Sequence, residues 1–242
     1  MVPVVAIYST FLQRAYDQIL QDAAMLKLHV GFAVDRAGLV GEDGETHHGV
    51  FDVGFLRTIP GMKILCPANL AEQQDMLRWA VEEYDGPVAI RYPRGTEGSE
   101  KESCWDGEHF VQSHRSGNDI TLVTYGSMLD TVLDAAGKME ESGVHASVLR
   151  LRELSDLHTR ELLAMLNPQA PVLVVEEISS GSGIREALAW EIHQNDPDCA
   201  VFGMDLGQDF VPHGNQKLLY KHCGLDSDSI VRYAKEVLRH EG

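Results

Sequence analysis

Short runs of β-branched and other apolar residues alternate with helical patterns along the whole chain, and this alternation restricts the fold more than any other feature. The runs predict strands at residues 4–8, 29–34, 63–66, 87–92, 120–125, 146–151, 172–175 and 200–205. Helical patterns occupy residues 11–26, 127–141, 159–166, 184–194, 215–222 and 227–240. Because strands that alternate with helices pair in parallel, the chain is predicted to be an α/β protein.

One stretch without periodicity divides these elements into two groups. Residues 96–118 collect Gly, Ser, Glu and Lys, a composition typical of an interdomain linker. We therefore predict one domain over residues 1–95 and a second over residues 119–242.

Charge and cysteine content narrow the classes of partner and compartment. Twenty Lys and Arg against 37 Asp and Glu give a net charge of −17, which repels phosphate backbones and anionic lipid, so we expect neither nucleic acid nor a membrane as partner. The apolar runs are too short to cross a bilayer, and the N-terminal residues show no basic leader. The four cysteines lie far apart in sequence, without the close pairs of zinc or redox motifs, which favours a reduced, cytoplasmic protein.

Candidate functional residues follow the predicted strands of the first domain. Ligands of parallel sheets bind at the carboxyl ends of the strands, and the first strand is followed by Tyr8, Phe11 and Arg14. A cation near a helix N-terminus opposes the helix dipole, so local helix physics gives Arg14 no role. Arg14 is thus equally well explained as a surface arginine or as a ligand-binding one.

The segment after the second strand, residues 35–52, is the densest in titratable groups. It carries four glycines, five acids, Arg36 and two histidines. Asp43, His47 and His48 could be metal ligands, but this segment alone offers too few converging donors, so proton transfer is the preferred interpretation. A polar surface turn with solvated histidines is the alternative.

Two arginines are predicted to meet at the same edge of the sheet. Arg94 comes just after the fourth strand, and Arg36 just after the second. A clamp for a phosphate or carboxylate would explain the pair, and so would surface salt bridges with the abundant acids.

Four sequence motifs, together with two in the second domain, carry a family resemblance. AIYSTFLQRAYDQ at residues 6–18, DRAG at 35–38, DGETHHG at 43–49 and RYPRG at 91–95 resemble the 1-deoxy-D-xylulose-5-phosphate synthase family. VVEE at residues 174–177 and FVPHG at 210–214 resemble the C-terminal domain of those enzymes. The resemblance covers nearly the whole chain and implies part of a thiamine pyrimidine-binding domain, followed by a transketolase C-terminal domain.

The resemblance implies a transferase of the transketolase class. The family condenses pyruvate with glyceraldehyde 3-phosphate, with loss of CO2, in a homodimer that uses thiamine diphosphate and Mg²⁺, and its product feeds isoprenoid, thiamine and pyridoxal synthesis. The domain that binds the diphosphate and magnesium has no counterpart in the matched motifs. The metal and diphosphate ligands are therefore expected to be absent from this chain, which by itself is expected to be inactive.

The resemblance also assigns binding residues. Phe11 resembles the residue that stacks on the aminopyrimidine of the cofactor, with Tyr8 and Arg14 beside the cofactor and the acceptor. Arg36 and Arg94 correspond to positions that hold the phosphate of the acceptor.

Asp43 and His47 match a polar pair near the reacting carbonyl, where a proton is transferred. His48 is given no catalytic part. Two alternatives stay open: a β-type subunit of a split transketolase or 2-oxo acid dehydrogenase, and a non-catalytic dimerisation module.

Overall fold

The computed structural model describes residues 1–96 and 98–241. Its first sheet is entirely parallel, with four strands in the order β1-β2-β4-β3. Strand β4 is fully buried, whereas β1 lies at the edge with Val4 and Val5 more than two fifths exposed. The elements of this domain are β1 (Val4–Tyr8), α1 (Ser9–Leu12), α2 (Tyr16–Gln18), β2 (Val30–Asp35), α3 (Asp52–Arg57), β3 (Lys63–Leu65), α4 (Leu70–Glu82) and β4 (Pro87–Arg91).

The second sheet has five strands in the order β5-β7-β6-β8-β9, of which only β5 runs antiparallel. Helices cover it, and α5 packs against α9. The elements are β5 (Val111–Arg115), β6 (Ile120–Tyr125), α5 (Met128–Glu141), β7 (Ala146–Leu151), α6 (Thr159–Leu163), β8 (Val172–Val175), α7 (Arg185–Asn195), β9 (Val201–Met204), α8 (Gln216–His222) and α9 (Ser227–Glu241). The predicted α/β class with parallel sheets is confirmed.

Two segments differ from the sequence-based prediction. Strand β5 lies inside residues 96–118, where the composition predicts only a linker. This strand, VQSHR, is short and mostly polar, and only Val111 is buried, so it lacks the apolar run that marks a strand in the sequence. The helix predicted over residues 11–26 is divided into α1, a 3-10 turn (Gln13–Ala15), α2 and a π-helical turn (Ile19–Ala24). All of these turns keep Leu12 and Ile19 buried, so hydrophobic spacing does not distinguish them from one continuous α-helix.

Helix α4 begins at a capped N-terminus. The side chain of Asn69 accepts a hydrogen bond of 2.8 Å from the backbone N–H of Glu72, which makes Asn69 the N-cap.

The two sheets are joined along β3. The backbone N–H of Cys66 donates to the carbonyl of Arg152 at 2.8 Å, and that of Leu154 donates to the carbonyl of Ile64 at 2.9 Å. These bonds extend the first sheet by an antiparallel segment from the second domain, so the domains are held together by backbone as well as by side chains.

A buried ion cluster stabilises the same junction. Glu72 of α4 accepts hydrogen bonds from Nη1 and Nη2 of Arg150, at 2.6 and 2.7 Å, and Arg152 lies 3.0 Å away. Burial raises the pKa of Glu72, but the hydrogen bonds and charge of Arg150 more than offset this and hold the pKa below its usual range. All three side chains are at most 3% exposed, so each charge depends on its partners for solvation.

Within residues 1–96 and 98–241, no helix has both the length and the apolar character that crossing a membrane requires. None of the four cysteines forms a disulfide.

Candidate active site

The carboxyl ends of β1, β2 and β4 bring the predicted site residues to one edge of the first sheet. Tyr8 ends β1, Asp35 ends β2, and Arg94 lies three residues beyond β4. The segment from residue 36 to residue 49, called here the glycine-rich loop, covers this edge. Its neck is closed by two backbone hydrogen bonds between Gly38 and Gly49, at 2.7 and 2.8 Å.

Aromatic rings form one wall of the site. Tyr8 and Phe11 stack with their ring centroids 5.5 Å apart and an interplanar angle of 11°. The ring of His47 meets Phe11 edge-on at 5.4 Å, and the guanidinium of Arg14 lies 5.8 Å from the Phe11 centroid. Phe11 is 37% exposed, so part of an aromatic ring is open to a planar partner.

The two arginines meet as predicted, and an acid lies between them. Oδ2 of Asp43 is 2.6 Å from Nη1 of Arg94 and 3.8 Å from Nε of Arg36. Arg36 also binds Asp35 at 2.5 Å, and its guanidinium carbon lies 3.8 Å from the centroid of the Tyr8 ring. Because both guanidinium groups approach the same carboxylate oxygen, they are close enough to share a single small anion.

Arg36 is held in an unusual backbone conformation. Its φ of 57° lies in the left-handed region, which side chains with a Cβ rarely adopt. The backbone N–H of Arg36 donates to Oδ1 of Asp35 at 2.7 Å, which helps to stabilise the turn. Strained backbone of this kind concentrates at ligand-binding sites, and here it aims the guanidinium over Tyr8.

His47 lies beside the aromatic wall rather than beside Asp43. Its Nδ1 is 2.9 Å from Oγ1 of Thr46, and the hydroxyl of Thr10 donates to the carbonyl of Thr46 at 2.9 Å. Within the described part of the chain, no hydrogen bond links Asp43 to His47. The structure thus places the two residues on one loop but gives the Asp43 carboxylate to the arginines.

His48 has a structural part that the sequence did not reveal. It is 3% exposed, its Nδ1 accepts from the backbone N–H of Val40 at 3.1 Å, and its Nε2 therefore donates to the carbonyl of Pro212 at 3.2 Å. Burial lowers the pKa of His48, and the backbone hydrogen bond with Pro212 only partly opposes this. Neutral His48 thus ties the glycine-rich loop to the second domain.

A buried ion pair supports the other end of the loop. Nε of Arg91 donates to Asp52 at 2.8 Å, and its Nη2 donates to the carbonyl of Gly49 at 3.3 Å. Both charged side chains are at most 4% exposed. A charged residue at the end of the apolar β4 run was the sequence signal for this pair.

The site contains groups suited to part of a thiamine cofactor. The partly exposed Phe11 ring, backed by Tyr8, fits stacking against a heteroaromatic ring. No group of three or more His, Cys, Asp or Glu within residues 1–96 and 98–241 could hold a metal ion.

Comparison with family models identifies two adjoining domains. Residues 1–98 match the pyrimidine binding domain of transketolase, and residues 110–230 match the transketolase C-terminal domain.

Curated relatives match nearly the whole chain. The 1-deoxy-D-xylulose-5-phosphate synthase of Chlorobium luteolum is 38% identical over 240 residues, covering 98% of this chain and 38% of the relative. The synthase of Chromohalobacter salexigens is 42% identical over 241 residues, covering 95% of this chain and 35% of the relative. The synthase of Gloeobacter violaceus is 40% identical over 251 residues, covering 100% and 38%. The chain thus spans less than two fifths of the length of these relatives.

Solved structures share the fold. A split-gene transketolase, described as an inactive β4 tetramer, aligns with a TM-score of 0.84 and 24% identity over 99% of this chain and 77% of its own. Transketolase from Campylobacter jejuni aligns with a TM-score of 0.77 and 21% identity over 97% of this chain and 35% of its own. The chain belongs to the transketolase family and is similar to the C-terminal part of 1-deoxy-D-xylulose-5-phosphate synthases.

Proposed function

We propose that this chain forms the acceptor side of the active site of a 1-deoxy-D-xylulose-5-phosphate synthase, which condenses pyruvate with glyceraldehyde 3-phosphate and releases CO2. The observation that carries the proposal is the approach of Arg36 and Arg94 to one oxygen of Asp43. An acceptor phosphate has the charge and size to replace that carboxylate between the two guanidinium groups.

In this proposal Arg36 and Arg94 bind the acceptor phosphate. The Asp43 carboxylate is an internal anion that contacts the same two guanidinium groups and competes with the phosphate for them. The role of Asp43 beside the reacting carbonyl stays a prediction, since its carboxylate contacts the arginines.

His47 is the proposed proton donor to the acceptor. When a carbon–carbon bond forms at an aldehyde, its carbonyl oxygen gains negative charge, and an imidazole can donate a hydrogen bond or a proton to it. Imidazole suits this step because it can give and accept a proton near neutral pH. The contacts of His47 with Phe11 and Thr46 hold its ring at the aromatic wall, on the same loop as Arg36.

Phe11, Tyr8 and Arg14 are proposed to face the pyrimidine part of thiamine diphosphate. When bound, that cofactor supplies the carbon nucleophile by decarboxylating pyruvate. Mg²⁺ and diphosphate ligands belong, in this proposal, to sequence that the relatives carry and this chain does not span.

We also propose a homodimer in the cytoplasm. Exposed apolar side chains at the β1 edge, Val4 and Val5, and just before β2, Leu28, support a covered interface there. Four cysteines outside disulfides are compatible with a reducing compartment.

The experiment is to join this chain to the remaining region of a curated relative, forming a complete synthase, and to assay product from pyruvate and glyceraldehyde 3-phosphate. The proposal expects 1-deoxyxylulose 5-phosphate, and expects this chain alone to give none. A β-type subunit of a 2-oxo acid dehydrogenase would instead support acyl transfer with its own partner chain, and a dimerisation module would give no product in either form.

A further inference from the structure

Glu177 is a fully buried acid whose hydrogen bonds cross from the second domain to the glycine-rich loop. It lies two residues after β8 and is 2% exposed. Its Oε1 accepts from the backbone N–H of Leu39 at 2.6 Å and from the hydroxyl of Tyr220 at 2.8 Å. Its Oε2 accepts from the hydroxyl of Ser127 at 3.1 Å. Within residues 1–96 and 98–241, no Lys or Arg lies at ion-pair distance from this carboxylate.

The loop is shaped to receive this carboxylate. Gly38 has a φ of 81°, and a Cβ added there would lie 2.5 Å from the Glu177 carboxylate, so a larger residue would displace one or the other. The carbonyl of Leu39 accepts from Nε2 of Gln216 at 2.8 Å. Both backbone polar groups of Leu39 are therefore bound by side chains of the second domain.

Gly38 and Leu39, the loop residues that contact Glu177, lie between Arg36 and Asp43. The same loop continues to His47. A movement at Leu39 would shift these side chains relative to the aromatic wall and to Arg94, which lie on other segments. Tyr8 and Phe11 belong to β1 and α1 and make no hydrogen bond with Glu177. The hydrogen bonds of Glu177 thus act on the acceptor side of the site.

We propose that Glu177 is a positioning residue: it touches no substrate, but through Leu39 it holds the glycine-rich loop in the geometry that acceptor binding and proton transfer require. This inference rests on the proposed function of that loop. It also assigns the second domain a part in the active site of the first.

Burial raises the pKa of Glu177, and the hydrogen bonds from Leu39 and Tyr220 oppose that rise. Burying a carboxyl group costs free energy, so a buried one is expected where its hydrogen bonds have a specific task.

Glu176 provides a matched control. It is the neighbouring residue, is 3% exposed, and accepts hydrogen bonds from the hydroxyl of Tyr125 and the backbone N–H groups of Ile184 and Arg185, at 2.9, 2.8 and 3.1 Å. All of these partners lie in the second domain. Glu176→Ala therefore removes an equally buried acid without touching the loop.

The first experiment measures hydrogen exchange in this 242-residue chain. Glu177→Ala is expected to speed exchange of the Leu39 amide by about tenfold, because the variant removes the hydrogen-bond acceptor of that amide, while Glu176→Ala leaves it unchanged. Equal exchange of the Leu39 amide in both variants would contradict the proposal that Glu177 holds the loop through Leu39. Tyr220→Phe, which removes one donor only, serves if Glu177→Ala does not fold, and it is expected to speed exchange by a smaller factor.

The second experiment uses the complete synthase. Glu177→Ala is expected to raise KM for glyceraldehyde 3-phosphate and to lower kcat, each by about threefold to tenfold, while thiamine diphosphate affinity stays within about twofold. Glu177→Gln, which keeps an acceptor for Leu39, is expected to restore most of the loss. A loss of cofactor affinity matching the loss of kcat, or the same kinetics in Glu176→Ala, would show a merely structural role.

The two experiments separate the inference from the function on which it rests. If the complete wild-type synthase does not use glyceraldehyde 3-phosphate, the proposed function fails, and the positioning role fails with it. Hydrogen exchange then still shows whether Glu177 holds the glycine-rich loop through Leu39.

Discussion

The Asp43 carboxylate lies 2.6 Å from the Arg94 guanidinium, so the loop supplies its own anion to a cation proposed to bind substrate phosphate. Both side chains are a third or more exposed, which keeps the strength of this ion pair small.

Removing this internal anion should therefore favour phosphate. Asp43→Asn is expected to tighten binding of inorganic phosphate to the chain by roughly twofold to fivefold at low salt, which corresponds to an exposed ion pair of up to about 1 kcal/mol. Titration followed by phosphorus NMR measures this. Glu42→Gln, an exposed acid on the same loop, controls for the change in net charge. Weaker binding by Asp43→Asn would mean that Asp43 organises the arginines instead of competing for them.

Replacing the adjacent residues His47 and His48 should affect different properties: activity for His47 and stability for His48. His47→Ala is expected to lower kcat of the complete synthase by about 10²-fold, the scale of general acid–base catalysis, and to leave the free energy of unfolding nearly unchanged. His48→Ala is expected to cost about 1–3 kcal/mol of stability, because it leaves the Val40 N–H and the Pro212 carbonyl buried without their partner. Chemical denaturation and steady-state kinetics on both variants decide. A His47→Ala enzyme that loses activity only by unfolding would remove its proposed role.

The lowered pKa of His48 also predicts how the stability of the chain depends on pH. Its pKa is lowered in the folded chain, so unfolded chains bind a proton first as pH falls. The stability that neutral His48 contributes is present above the ordinary histidine pKa of 6.5 and is lost as pH falls from there through the lowered value. Unfolding free energy should decline over this window in the wild-type chain and less steeply in His48→Gln. Parallel pH curves for the two proteins would contradict the assignment.

The ion cluster between the domains should dominate stability at their junction. Glu72→Gln leaves Arg150 and Arg152 buried without their anion and is expected to cost about 3–5 kcal/mol. Because the pKa of Glu72 is lowered, its contribution is present above the ordinary glutamate pKa of 4.5 and is lost as pH falls through the folded value. Thermal unfolding measures both effects. Glu82→Gln, an exposed acid on the same helix, should shift the melting temperature little, and equal shifts would argue against the cluster.

The sequence was sufficient for the class of fold and for the prediction that the candidate site residues lie at one edge of the first sheet. Strand-length apolar runs with helices between them dictate parallel sheets, and the strand-end rule then puts Tyr8, Arg36 and Arg94 on one edge. The rule predicts that Arg36 and Arg94 meet, but it does not predict that the Asp43 carboxylate lies between them.

The contacts between the domains could not be predicted in the same way. Glu177 and Leu39 are 138 positions apart, and nothing local to either residue encodes their hydrogen bond. His48 looks like a solvated loop histidine until the segment at Pro212 is placed against it. The sequence signal that did exist was chemical: Glu176 and Glu177 follow a fully apolar strand, where buried acids need dedicated partners.

The phosphate clamp is the central claim, and substrate discrimination tests it most directly. The measurement is kcat/KM of the complete synthase for glyceraldehyde 3-phosphate and for unphosphorylated glyceraldehyde, in wild type, Arg36→Ala, Arg94→Ala and the control Arg78→Ala, whose arginine is exposed on α4. Loss of a hydrogen bond to a charged group costs about 1.5–3 kcal/mol, so each clamp variant should lose about tenfold or more with the phosphorylated acceptor only. Arg78→Ala should match wild type with both acceptors. Equal losses for glyceraldehyde and its phosphate in Arg36→Ala and Arg94→Ala would contradict the clamp.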